Sequence, residues 1–313
     1  MQANNSLYPQ DASGSSLPPH ATEASLLRYE LAQILVAAAP SSFGQEAILS
    51  GSTARGVADE DSDIEMVFYV DVLPSASDRE VWLERVGVVE IAREGVPSGD
   101  DEFWIRLLFS GIWVEAGWQV IPAMEKLLDK LAAGEVIAHG QLKLAWVVKH
   151  AVSLRGGSML QQWQQKLILY PEPLAQKLIA AAVHHWFFPQ TFKIRWALIH
   201  RGELLALIER LYVNTCNMLR ILFAINQQWE PDWKWLRVET KQLTIKPERL
   251  LERIDEICTI SQVEQRVTYY LLLMRDVLAL VPPQYDVAGA LINVQESLQA
   301  HGFGGKDAAE ESL

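Results

Sequence analysis

Hydrophobic and polar positions divide the chain into two differently patterned regions. Between residues 23 and 135, short apolar stretches alternate with turn residues. Ser25 to Ala39 carries apolar residues at helical spacing, and Pro40 ends it. Ala47 to Leu49 is a short apolar run leading into Gly51-Ser52. Ile64, Met66, Phe68 and Val70 alternate with Glu65, Val67 and Tyr69, which predicts a strand mostly buried on both faces. Asp78 to Val86 reads as a helix capped by Ser77. Phe103–Phe109 and Ile112–Ile121 read as a hairpin about Ser110-Gly111, and Pro122 opens a helix running to about Ala133.

From 136 to 301 the period changes to that of helices. Leu204, Ile208, Leu211, Thr215, Met218 and Leu222 form one stripe of a long helix. Further helices are expected at 137–153, 173–187, 247–259, 262–281 and 286–300, packed as a bundle. The flanks, 1–22 and 302–313, hold little that can pack and read as disordered tails. The expected fold class is therefore α+β: a small mixed-sheet domain at 23–135, then an all-α domain at 136–301.

Composition narrows the function classes. A net charge of −12 argues against a nucleic-acid partner, because phosphate backbones attract basic surfaces. A nucleotide substrate is not excluded, since a metal and a few local cations can hold a triphosphate. No long uncharged apolar run suggests a membrane span. No basic, apolar leader precedes Arg28, so a cytoplasmic location is expected. Cys216 and Cys258 are then expected to be buried thiols and not a disulfide.

The chemistry concentrates in Gly51-Ser52-Thr53-Ala54-Arg55-Gly56, continued through Asp59-Glu60-Asp61-Ser62 to Asp63-Ile64-Glu65. A glycine where a strand ends lets main chain approach a phosphate, and the Ser52 hydroxyl adds a donor. Asp63 and Glu65, two apart on a strand, point to one face. Carboxylates side by side repel unless a cation lies between them. Mg²⁺ uses one or two carboxylates and completes its octahedron with phosphate oxygens and water.

This segment resembles the nucleotidyltransferase superfamily that includes DNA polymerase beta and the aminoglycoside and lincosamide adenylyltransferases. Its signature is Gly-Ser, a gap, then acid-x-acid on a strand; here ten residues separate Ser52 from Asp63. Glu65 stands where many members have Asp. The resemblance implies a metal-dependent transfer of a nucleoside monophosphate, with ATP as donor and two Mg²⁺ ions as cofactor. It also implies a third carboxylate on a later strand, for which Glu115 in Trp113-Val114-Glu115-Ala116-Gly117 is the best match, with Gly117 leaving room beside it. Asp63, Glu65 and Glu115 would hold metal and carry catalysis. Gly51, Ser52, Arg55 and Lys149 would contact the triphosphate.

Tyr170-Pro171-Glu172, Phe223-Ala224-Ile225-Asn226 and Trp229 to Leu236 resemble an uncharacterised bacterial nucleotidyltransferase-like family, which implies that the helices shape an acceptor site. Trp229, Trp233 and Trp235 could stack a base or sugar, though such a cluster is more often core packing after a helix end. His184-His185 reads as a core pair and not a metal site. The Arg195-x4-His200 spacing, similar to that of small helical RNase toxins, arises readily by chance in helices. The expected acceptor is a small molecule. A protein acceptor, or a non-catalytic nucleotide-binding protein, are the alternatives.

Overall fold

The computed structural model describes residues 16–88, 91–94 and 101–301. The expected tails at 1–15 and 302–313 lie outside them. The chain divides into two compact units, 1–169 and 170–313.

The first unit contains α1 (Glu23–Ala38), β1 (Glu46–Ser50), the one-turn α2 (Gly51–Ala54), β2 (Ile64–Val70) and α3 (Ala76–Val86). It continues with β3 (Ile91–Glu94), β4 (Glu102–Phe109), β5 (Ile112–Val120), α4 (Ile121–Ala132), α5 (His139–His150), β6 (Val152–Arg155) and α6 (Ser158–Lys166). The six strands form one sheet in the order β3-β4-β5-β2-β1-β6. Among the described residues, β2 and β5 pair in parallel and the other strand pairings are antiparallel. The mixed sheet and the helical region after it match the α+β class expected from the sequence.

Strand alternation sorts the sheet into two faces. Ile64, Met66, Phe68 and Val70 of β2 join Ala47, Leu49, Val114, Ala116 and Trp118 in a core closed by α1 and α3. Phe43, Phe68, Trp82 and Trp118 meet there edge-on and stacked, and the Trp82 indole N–H donates to the Leu35 carbonyl at 2.9 Å. On the opposite face, Val67 and Tyr69 are also buried, so β2 is covered on both sides as its pattern predicts. Tyr69 packs edge-on against Trp163 of α6, with ring centroids 4.6 Å apart. Helices α5 and α6 contact β1, and α4 contacts β5.

Four local expectations change. The cap of α3 is Ser75 and not Ser77: Ser75 and Asp78 form a reciprocal capping box. The helix expected over 137–153 stops at His150, and the next residues pair with β1 as β6. The sheet-bearing unit consequently runs on to 169, past the 135/136 boundary drawn from periodicity. Residues 16–22, expected in the tail, pack instead: the Thr22 N–H donates to the Gly56 carbonyl at 3.1 Å, and the Thr22 hydroxyl donates to the Ala58 carbonyl.

The second unit holds α7 (Glu172–Val183), α8 (Pro189–Arg201), α9 (Leu204–Ile225), α10 (Leu236–Glu239), α11 (Leu250–Thr259), α12 (Val263–Ala279) and α13 (Ala288–Ala300). The stripe of α9 is only half used. Leu211, Met218 and Leu222 are buried, but Leu204 and Ile208 are 48% and 49% exposed. An ion pair at 2.7 Å between half-buried Arg220 and buried Glu230 fixes the chain that follows α9. Cys216 is half-buried and Cys258 exposed; both are free thiols, and neither is the buried thiol expected. No described helix is long and apolar enough to cross a membrane.

Candidate functional site

The site begins where β1 ends. Gly51 turns the chain into α2 with φ +67°, a conformation costly for any residue with a Cβ. A Cβ there would also lie 2.7 Å from Oε2 of Glu65. The glycine is therefore required twice, and the group that closes on it is the Glu65 carboxylate. Ser52, only 7% exposed, follows in the first turn of α2, where main-chain N–H groups lack intrahelical acceptors.

Register builds the carboxylate array. Ser50 pairs with Glu65, Glu65 with Glu115, and Glu115 with Arg106, so one row crosses β1, β2, β5 and β4. Residues directly opposite share a face, with Cβ atoms about 4.5–5.5 Å apart. Glu65 and Glu115 are thus neighbours on the face away from the α1/α3 core, and both are half-buried. Asp63 is half-buried one residue before β2. The space at Gly117 is taken: a Cβ would meet the Trp104 ring at 2.7 Å, so this glycine admits an indole beside Glu115 instead of leaving a gap.

Helix α1 shapes the loop between the glycine turn and Asp63. Arg28, 4% exposed, donates from Nε to the Ser62 carbonyl at 2.7 Å and from Nη2 to the Glu60 carbonyl at 3.0 Å. The fully buried Ser25 accepts from the Ala58 N–H at 3.0 Å. Ser62 donates to Asp59 at 2.7 Å, which closes the turn and holds the Asp59 carboxyl below its usual range. Sequence reading missed Ser25 and Arg28. The available signal was their place on the same stripe as Ala32 and Leu35, since polar residues on a buried stripe need partners.

Two expected phosphate contacts come from different surroundings. Arg55 is 3% exposed, and its guanidinium lies 4.7 Å from the centroid of Trp146, so it ties α2 to α5. Lys149 sits at the end of α5, which contacts both α2 and β1. Burial pushes the pKa of His150 down to about 3 against its hydrogen bond with the Trp146 carbonyl, and the charges of Lys149 and Arg55 lower it further. Helix α5 belongs to the sheet-bearing unit and packs on the α2 turn.

Among the described residues, no group of three or more His, Cys, Asp or Glu is spaced to hold a metal ion by itself. The adjacent carboxylates fit Mg²⁺ nonetheless, because that ion draws most of its shell from phosphate oxygens and water.

The remaining motifs have structural places. His184 and His185 are exposed on a 3-10 turn with rings 5.1 Å apart, and not in the core as expected. Arg195 is 1% exposed between Phe192 and Tyr270, while His200 is exposed, so the two do not form a joint site. Trp229 is buried against Tyr170, and Trp233 and Trp235 are half-buried.

Residues 137–236 match a family described as a domain of unknown function (DUF4037). The match covers less than half the chain and begins after the carboxylate row. No curated protein matches. Among solved structures, the crystal structure of a nucleotidyltransferase-like protein from Exiguobacterium sibiricum 255-15 is similar at 11% identity, over 89% of this chain and 79% of that one, with a TM-score of 0.37. So slight a likeness does not bear on function.

Proposed function

We propose that this chain is a metal-dependent nucleotidyltransferase. The observation that carries the reading is the register of Glu65 with Glu115 on adjacent parallel strands, beside a turn whose glycine is closed by the Glu65 carboxylate. In that row Glu65 and Glu115 stand abreast with Arg106 beyond them, and carboxylates so placed can share a divalent cation with phosphate oxygens. Asp63 and Glu65 would hold Mg²⁺, with Glu115 on the attacking side; bound there, a divalent ion supplies charge neutralisation at the phosphates.

The protein's own groups then have distinct tasks. The turn at Gly51 and Ser52 receives the outer phosphates through main-chain N–H groups and the serine hydroxyl. Lys149 contributes charge from the end of α5, and Arg55 supports the turn from beneath. A hydroxyl of a small-molecule acceptor attacks the α-phosphorus in line. The new oxygen–phosphorus bond forms as the bond to the bridging oxygen breaks, and pyrophosphate leaves. Glu115 takes the hydroxyl proton. ATP is the donor proposed.

The test is incubation of the protein with each of the four α-labelled nucleoside triphosphates and a metabolite pool, with Mg²⁺ or with a chelator. Labelled monophosphate transferred to a small molecule only with Mg²⁺ supports the reading. Transfer that persists in chelator, or no binding of any nucleotide, overturns it.

A further inference from the structure

We infer that the β4–β5 hairpin forms the acceptor subsite, and that it recognises a ring-bearing alcohol by stacking on Trp104. This rests on the nucleotidyltransferase reading and specifies its acceptor class.

Direction comes first. Pyrophosphate leaves toward the turn at the end of β1. In-line displacement puts the nucleophile on the opposite side of the α-phosphorus. The carboxylate row runs from β1 through β2 and β5 to β4. The acceptor therefore lies over β5 and β4, within the same unit.

The surface there is built for a flat ligand. Trp104 pairs with Gly117, one register step from Glu115, and three atoms of its benzo ring lie 2.7–2.8 Å from where a Gly117 Cβ would be. Such near-equal distances lay the ring across the bare Gly117 backbone, and the half-buried indole keeps part of its surface open. On the other side of Glu115, Trp113 is 37% exposed and carries the Arg106 guanidinium 5.2 Å from its centroid. The parallel register, Ile64 with Val114, carried back one residue sets Asp63 beside Trp113. Two indoles thus bracket the carboxylate proposed to take the acceptor's proton. An indole face binds the flat C–H face of a sugar ring or an aromatic ring, and a ring seated on Trp104 presents its hydroxyl about 7 Å along the strand, at Glu115.

The test measures binding by saturation-transfer NMR in the presence of Mg²⁺ and α,β-methylene-ATP. The probes are methyl glucopyranoside, 4-hydroxybenzyl alcohol and the open-chain sorbitol. We expect one of the ring probes to bind, which tells sugar from aromatic, and sorbitol not to. Trp104→Ala should weaken ring binding about tenfold, while nucleotide affinity is kept. Trp104→Phe should restore most of it. Gly117→Ala, which displaces the indole without deleting it, should copy the alanine variant. Failure of both ring probes, or equal binding of sorbitol, overturns the inference. So does a loss of nucleotide affinity in Trp104→Ala, which would assign the ring to the donor's base. If the nucleotide analogue itself does not bind, the parent reading fails instead.

Discussion

The two ends of one sheet face use carboxylates in opposite ways. At the far end, Glu46 pairs with Tyr69 and is 4% exposed. Its Oε1 accepts the Gly157 N–H at 2.6 Å and Oε2 the Met159 N–H at 3.4 Å, so it caps the start of α6. At the near end, Glu65 and Glu115 stand abreast and half-exposed, with Asp63 alongside. Glu46, Glu65 and Glu115 are all glutamates on the same sheet face. What differs is the setting: a helix start holds the lone acid through main-chain N–H groups, whereas the paired acids share their row with Arg106.

Substitutions can break this contrast. The largest effect is expected from Asp63→Asn, which should reduce nucleotidyl transfer at least about a hundredfold while leaving the melting curve unchanged. Isotopic transfer assays and calorimetry on the same sample check both halves. Next, Glu46→Ala should lower stability by about 1–3 kcal/mol, because the N–H groups of Gly157 and Met159 lose their acceptor. Denaturant melts should show it, with nucleotide affinity retained. If Glu46→Ala abolished nucleotide binding and Asp63→Asn only lowered stability, the assignment of the two ends would be reversed.

The smallest effect concerns pH. His150 has a folded pKa of about 3 against an ordinary 6.5. Between those values the unfolded chain binds the extra proton, so stability rises with pH across the window and is lost as pH falls. His150→Gln should flatten that part of the stability–pH curve. An unchanged slope would show that the ring is solvated in the folded protein.

Much of the first unit could be read from the chain because its signals are local. The alternation of Ile64 to Val70, the Ser110-Gly111 hairpin and Pro122 each specify their own element. The closeness of Asp63 and Glu65 was legible the same way, by spacing. Placing Glu115 opposite Glu65 needed a parallel pairing between distant strands, which no local pattern encodes. Nor does spacing reveal that Arg28 organises the loop before Asp63, since its acceptors are main-chain carbonyls. Val152 and Ser153, the first half of β6, were absorbed into a helix because the strand is short and directly follows one. Helices α6 and α8 went unread: Gln161, Gln162, Gln164 and Gln165 dilute the apolar period of the first, and polar residues at both ends do so in the second.

Strand β6 has a consequence for biosynthesis. Leu49 pairs with Val152, so β1 emerges from the ribosome well before the strand that covers its outer edge. At typical elongation rates the interval is on the order of ten seconds. During it, the Ala47–Leu49 segment offers unpaired main-chain groups on one side, an invitation to pair with another nascent chain. A fragment ended at 135 would keep that edge open permanently. Recombinant expression of such a fragment should give aggregates, whereas one ended after α6 carries its own seal.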